Sequence, residues 1–251
     1  MSAPAADREM PDFEPIQQLR AHEYVAEQIR RHISLRLIAS GESLPPEREL
    51  AAMFAVGRPT IQHALRLLEA DRLVDTRRGR HGGSFVAAPE EDQHLMDELI
   101  ARLQRDRHQL AELIVFRRTI EPAVAGLAAS TRRKADIAAL WRLAEELGRT
   151  ESEADYLRRD TALHLAIARA TRNSFLVRSI EDVRMGINDA LLLLPSSEVW
   201  LAGIADEHTR VIAAIEDADA AGARAAMDVH VGNADQALRA ALTAMRRRAS
   251  R

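Results

Sequence analysis

Four residues in the C-terminal half have the types and spacing of a metal site. Asp160 and His164 stand four apart in a stretch of helical periodicity, so both project from one face. His208 and His230 lie on two later stretches of the same kind. His164 sits in the apolar run Ala162-Leu163-His164-Leu165-Ala166-Ile167, and His230 follows Ala225-Ala226-Met227. Both therefore turn inward, where an imidazole without a partner is costly. Taken singly, a buried histidine is more often a satisfied core residue than a ligand, and an Asp-x-x-x-His pair is a weak sign. Together the four supply three imidazoles and one carboxylate, which suits Zn²⁺, Ni²⁺, Mn²⁺ or Fe²⁺. Facing helices commonly build such sites inside a bundle. Asn188 and Asn233 are further polar residues that could face the same interior, and Asn173 reads as a helix cap.

A second constellation lies in the first third of the chain. Gly57-Arg58-Pro59-Thr60-Ile61-Gln62-His63 opens a short helix with polar residues at its N-terminal end. A recognition helix meets base edges with that end. Arg58 can pair bidentately with guanine and Gln62 with adenine. Thr60 can reach a phosphate or a thymine methyl, and Arg48, in the preceding helix, is placed for backbone or base. The run Arg77-Arg78-Gly79-Arg80-His81-Gly82-Gly83 combines charge with backbone freedom. Its glycines permit positive φ and close approach to a duplex, so Arg80, His81 and Gly82 are candidate contacts. Alone the run would read as a solvated basic turn; the helices upstream favour DNA.

These residues need elements to position them. Residues 1–15 form a polar, Pro-containing tail of disordered composition. A helix is expected over 16–39, with Val25, Ile29, Ile33 and Leu37 repeating every four residues and Gly41 ending it. Leu44-Pro45-Pro46-Glu47-Arg48-Glu49-Leu50-Ala51 opens a second helix, with Pro in its first turn. A third covers 58–70, and strands 73–76 and 84–86 flank the basic turn. This order describes a winged helix-turn-helix over residues 16–89. Ala88–Pro89 marks a boundary. Residues 90–251 show helical periodicity throughout, in seven expected helices: 91–106, 109–129, 133–148, 152–171, 174–194, 197–218 and 221–247. The fold class is mainly α: a winged helix-turn-helix with a small hairpin, then an antiparallel bundle with short loops.

Composition narrows the functions. The absence of cysteine excludes disulfide scaffolds, cysteine zinc fingers, thiol catalysis and iron–sulfur clusters. With 4% aromatic residues, stacking platforms for single-stranded nucleic acid are not expected. No apolar run reaches the length of a membrane span, and no secretory signal opens the chain, so a cytoplasmic protein without a membrane partner is expected. The net charge of −3 hides an asymmetry. Residues 16–89 carry 11 Arg and 8 acids, a net of +3, while residues 90–251 carry 23 basic groups and 26 acids, a net of −3. The basic excess coincides with the candidate DNA-reading segment.

The N-terminal segment resembles the DNA-binding domain of GntR-type bacterial transcription regulators. The resemblance rests on Leu44–Ala51, on Val56-Gly57-Arg58-Pro59-Thr60-Ile61, on Ala64-Leu65-Arg66-Leu67-Leu68-Glu69 and on Gly79-Arg80-His81-Gly82-Gly83-Ser84-Phe85-Val86. It departs from the family at Gly57, where Ser is usual, and at Gln62-His63, where Arg-Glu is usual. These departures leave DNA binding as expected but not the family's usual operator preference. The helical half resembles the FCD ligand-binding domain of the FadR subfamily. Here the residues are Phe116-Arg117-Arg118-Thr119-Ile120-Glu121-Pro122, Asp160-x-x-x-His164, Ala170-Thr171-Arg172-Asn173, Glu207-His208-Thr209 and Ala225-Ala226-Met227-Asp228-x-His230. The resemblance implies a divalent metal, Zn²⁺ first, on Asp160, His164, His208 and His230, with a small carboxylate effector beside it. Arg117 belongs to the family pattern Arg-x-x-x-Glu and is the candidate effector clamp; an intrahelical pair with Glu121 is the alternative. A ligand-responsive repressor follows, binding a near-palindromic operator as a homodimer through the helical domain. The switch is expected to run through the linker near Ala88–Pro89. The alternative is a metal-dependent hydrolase or lyase with an accessory DNA-binding module.

Overall fold

The computed structural model describes residues 20–77, 79, 82–87, 93–150, 152–194 and 198–249. The N-terminal tail, Arg80, His81 and the Ala88–Pro89 boundary lie outside the described residues. In the first third, α1 (Ala21–Ser34), α2 (Glu47–Met53) and α3 (Arg58–Ala70) precede β1 (Val74–Arg77) and β2 (Gly83–Val86). The strands pair antiparallel, Val74 opposite Val86 and Arg77 opposite Gly83. Gly57 is extended at the start of α3, and Pro59 sits in its first turn, where a missing N–H leaves no intrahelical bond unmade. Val25, Ala26 and Ile29 of α1, Leu50 of α2 and Ile61, Ala64, Leu65 and Leu68 of α3 close one core with Leu44, Val74 and Val86. Burial of these apolar faces holds the small domain together.

Two details differ from the sequence reading. First, α1 stops at Ser34, well short of residue 39, because Arg36 takes a left-handed φ of 57°. Leu35 and Leu37 thereby leave the face of Val25 and Ile29 and pack against the core of the helical domain. Second, the wing has a third extended segment. Ser43 bridges to Phe85, the Leu44 N–H donates to the Ser84 carbonyl, and the Val86 N–H donates to the Glu42 carbonyl. Glu42-Ser43 has no apolar alternation that would have announced a strand.

The helical half consists of α4 (Gln93–Arg105), α5 (Arg107–Thr131), α6 (Lys134–Leu147), α7 (Glu153–Ala170), α8 (Ser174–Leu191), α9 (Glu198–Glu216) and α10 (Ala220–Ala249). The seven expected helices are all present. α5 runs through the middle, packed against α7, α8, α9 and α10. Ala125, Gly126, Ala128 and Ala129 let α10 approach α5 closely; a Cβ on Gly126 would lie 2.9 Å from the Ala220 carbonyl oxygen. Ser152 caps α7, and the Asn173 Oδ1 accepts from the Phe175 and Leu176 N–H groups to cap α8. Among the described residues, no helix is long and apolar enough to cross a membrane.

The two halves meet where α1 approaches α8. Arg31 Nε donates to Glu181 Oε2 at 2.9 Å, and its Nη2 donates to Asp182 Oδ1 at 2.9 Å. Arg36 Nη2 donates to Asp189 Oδ1, also at 2.9 Å.

Candidate functional site

Asp160 and His164 of α7, His208 of α9 and His230 of α10 meet in the interior of the bundle, all four buried. One donor atom from each lies within 4.8 Å of the others. His164 Nε2 and His230 Nε2 are 3.3 Å apart. Asp160 Oδ1 stands 3.1 Å from His208 Nε2 and 3.6 Å from His164 Nε2. Ligand bonds of about 2.0–2.2 Å put neighbouring atoms of a tetrahedral site about 3.3–3.6 Å apart. These three separations are close to those of ligands around one cation, with every pair of the set within 4.8 Å. His208 supports this fit, because neither of its buried ring nitrogens makes a hydrogen bond despite the nearby Asp160 oxygen.

A layer of acceptors turns the imidazoles. Glu121 Oε2 stands 2.5 Å from His164 Nδ1. Glu207 Oε2 lies 3.0 Å from His230 Nδ1, and Glu207 Oε1 accepts from Asn233 Nδ2 at 2.6 Å. A carboxylate on Nδ1 fixes the tautomer whose Nε2 lone pair is free for a metal. Arg117 Nε donates to Glu121 Oε1 at 2.9 Å and its Nη1 to Asp235 Oδ1 at 3.3 Å, all three side chains buried. The guanidinium expected to clamp an effector is thus already met by two protein carboxylates. Its contacts are the intrahelical pair with Glu121 and the pair with Asp235 on α10, and through Glu121 it stands behind His164. On the opposite side of Asp160, Arg184 Nη2 donates to Asp160 Oδ2.

The charges follow from these contacts. Burial pushes the Asp160 carboxyl up, but Arg184 and His164 hold it well below the usual range. Burial lowers His164, and the stronger combined pull of Glu121 and Asp160 raises it. Burial and then His208 push His230 down to about 3, against Glu207. His230 is therefore neutral at physiological pH, the form that ligates.

Sequence reasoning missed Glu207, Asp235 and Arg184. Glu207 had a signal in its position beside His208. Arg184 had none, since Glu181-Asp182-Val183-Arg184 reads as an exposed charged run.

On the winged domain, Arg48, Arg58 and Gln62 are exposed and Thr60 half-buried on the α2–α3 surface. Glu47 Oε2 accepts from Arg58 Nη2 at 3.3 Å and from Gln62 Nε2 at 2.9 Å, holding both in one place. At the wing, Gly79 has a φ of 111°, the Gly82 N–H donates to the Gly79 carbonyl, and the Arg77 guanidinium lies 4.3 Å from the Phe85 ring centroid.

These two surfaces define a class: a winged-helix DNA-binding domain joined to a helical ligand-binding domain. Residues 21–86 match the family described as bacterial regulatory proteins, gntR family, and residues 112–233 match the FCD domain. The chain is 31% identical over 231 residues to the Uxu operon transcriptional regulator of Escherichia coli, covering 87% of each chain. It is 28% identical over 204 residues to the HTH-type transcriptional regulator LutR of Bacillus subtilis, covering 79% of this chain and 92% of LutR. Among solved structures, E. coli McbR/YncC has a TM-score of 0.50 at 18% identity, covering 88% of this chain and 98% of that one. The chain belongs to the GntR family of bacterial transcription regulators, and its FCD domain fits the FadR-like subfamily. It is a ligand-responsive DNA-binding regulator and not a hydrolase or lyase.

Proposed function

We propose that the protein is a homodimeric repressor, acting in the cytoplasm on a near-palindromic operator and released by a small carboxylate. The observation that carries this reading is the mutual approach of Asp160, His164, His208 and His230 within an FCD domain. These residues would hold a divalent metal, Zn²⁺ first, with Ni²⁺, Mn²⁺ and Fe²⁺ as alternatives. The ion would supply open coordination positions for the oxygens of an acid. Arg48, Arg58, Thr60 and Gln62, with Arg80, His81 and Gly82 of the wing, would contact the duplex.

A two-fold dimer is supported by the single recognition helix per chain. Exposed Val115, Phe116 and Leu127 on α5 and Val229 on α10 favour contact through the helical domain. The same two helices border an open groove of about 800 Å³ lined by Pro122, Gly126, Leu127 and Ala225.

The link between pocket and DNA is supported by α8. One face carries Arg184, which bonds Asp160, and Asn188, which accepts from Thr161. The adjoining face carries Glu181, Asp182 and Asp189, which hold Arg31 and Arg36 of the winged domain. A shift of α8 would therefore be felt at both ends.

The test is metal analysis of purified and reconstituted protein with an operator shift assay. His208→Ala and His230→Ala should each lose the metal, keep the fold and lose the response to added acids. Unchanged metal content in both variants would reject the site.

A further inference from the structure

On the winged domain two imidazoles lie face to face. His22, near the start of α1, and His63 of α3 stack with ring centroids 3.8 Å apart and planes 8° from parallel. His22 is half-buried and His63 exposed. Arg58 and Gln62 share one face of α3, both held by Glu47. His63 follows Gln62 and lies about 100° further round the helix. A helix about 10 Å across fills most of a major groove about 12 Å wide, so its flanks meet the phosphate walls. His63 is on such a flank, and it stands where the family pattern has an acid.

The charges around the pair are mostly positive. His22 and Arg20 face His63 from the start of α1, and Arg66 does so from one turn along α3. Glu23 opposes them, while also accepting from the Arg20 N–H at 2.6 Å. Glu47 of α2, Glu69 of α3 and Asp71 are engaged elsewhere, with Arg58 and Gln62, with the Thr76 N–H of β1 and with Arg30. Loss of water against the stacked ring, then the charges of His22, Arg66 and Arg20, hold His63 below the ordinary histidine range despite Glu23. The free protein therefore keeps this ring neutral at neutral pH, among cations. An arriving anion reverses the balance, because it favours the charged ring.

We infer that His22 and His63, with Arg20 and Arg66, form a further DNA contact: a seat for one backbone phosphate beside the recognition helix, filled with uptake of one proton. The proton passes from solvent to a ring nitrogen of His63, and the imidazolium donates it in a hydrogen bond to a phosphate oxygen. His22 is the positioning residue, since its ring holds that of His63 in place. The seat rests on the winged domain alone and is independent of the metal and the effector. Bound to DNA, His63 keeps its proton to higher pH than in the free protein. Affinity is therefore lowest above the bound-state pKa and rises as pH falls from there towards the free-state pKa.

The experiment is fluorescence anisotropy of the full chain with duplex DNA of two unrelated sequences, between about pH 8 and about pH 6. Affinity should rise as pH falls, by up to about tenfold per pH unit for one proton per site. Over the same range the slope of log affinity against log salt should steepen by up to about 0.9 per phosphate engaged. His63→Gln should lose part of both trends on both sequences, with its largest deficit at the acid end. Magnetic resonance titration of the imidazoles should show DNA raising the pKa of His63. His22→Phe, which keeps a stacked ring and removes a neighbouring charge, should raise it in the free protein. An identical pH dependence in wild type and His63→Gln would overturn the seat, as would a His63 pKa that DNA leaves unmoved. A loss of affinity by the same factor at every pH would overturn the proton uptake and reduce the pair to a fastening of α1 to α3. A loss confined to one sequence would overturn the phosphate and make His63 a base contact. Failure of the wild type to bind either duplex at low salt would also overturn the seat, since a phosphate contact needs no operator.

Discussion

The exposed guanidinium of Arg58 leans on Glu47, which also holds Gln62. This exposed pair contributes little to stability, but it keeps together two side chains proposed to read bases. Arg58→Ala should cost about 1–3 kcal/mol of operator affinity and relax preference at one base position. Binding measured on a set of single-base operator variants decides this; equal loss on every sequence would make Arg58 a phosphate contact. Beside the buried His/Asp cluster, Glu207 meets His230 Nδ1 and orients its ring. Glu207→Gln should lower metal affinity about 10–100-fold, as loss of an outer partner commonly does. Competition with a calibrated chelator measures it, and unchanged affinity would leave Glu207 as a surface acid with no part in the site. The four residues of the buried cluster were legible in the sequence because each is a chemically distinctive residue at helical spacing on an apolar face. Their partners were not. Nothing local distinguishes Arg184, at the centre of the bundle, from the solvated arginines around it. Arg117 stood out in the sequence by its Arg-x-x-x-Glu spacing, but only the fold reveals that Asp235, far along the chain on α10, faces it.

At the scale of elements, caps and breakers placed the helices well. Asn173 caps α8, and every helix of the bundle falls close to its expected span. The end of α1 was not legible, because Leu37 continues the apolar period of Ile29 and Ile33 yet packs on the other domain. Asp136 ties two elements together: it accepts from the Arg133 N–H at 2.8 Å at the start of α6 and from Arg172 Nη2 at 2.6 Å in the turn before α8. Burial pushes its carboxyl up, but the Arg133 N–H and Arg172 pull it below the usual range overall. A depressed folded value gives stability that is present above the unfolded value of about 3.9. That stability is lost as pH falls through the folded value. Asp136→Asn should therefore lower stability by up to about 1 kcal/mol at neutral pH, the scale of a partly exposed ion pair. The gap to wild type should close in acid below about pH 4. Urea unfolding of both proteins across that window tests it, and a gap that persists unchanged in acid would mean that the carboxylate charge is not the source.

For the whole molecule, the decisive property is coupling between the helical and winged domains. α8 touches both the Asp160 surroundings and, through Glu181, Asp182 and Asp189, the end of α1. These interdomain ion pairs are partly exposed, so each is worth at most about 1 kcal/mol of folding stability. Their value lies in biasing one arrangement of the domains over another. The most direct measurement is calorimetry of the tightest-binding acid with the metal-loaded protein, free and bound to its operator. Operator-bound protein should bind the acid about 5–150-fold more weakly, and the acid should weaken operator binding by the same factor, as linkage requires. Replacing Arg31 and Arg36 by Ala should shrink that factor. Equal affinity of the acid for free and operator-bound wild-type protein would contradict the assignment of the helical domain as the input of a DNA switch.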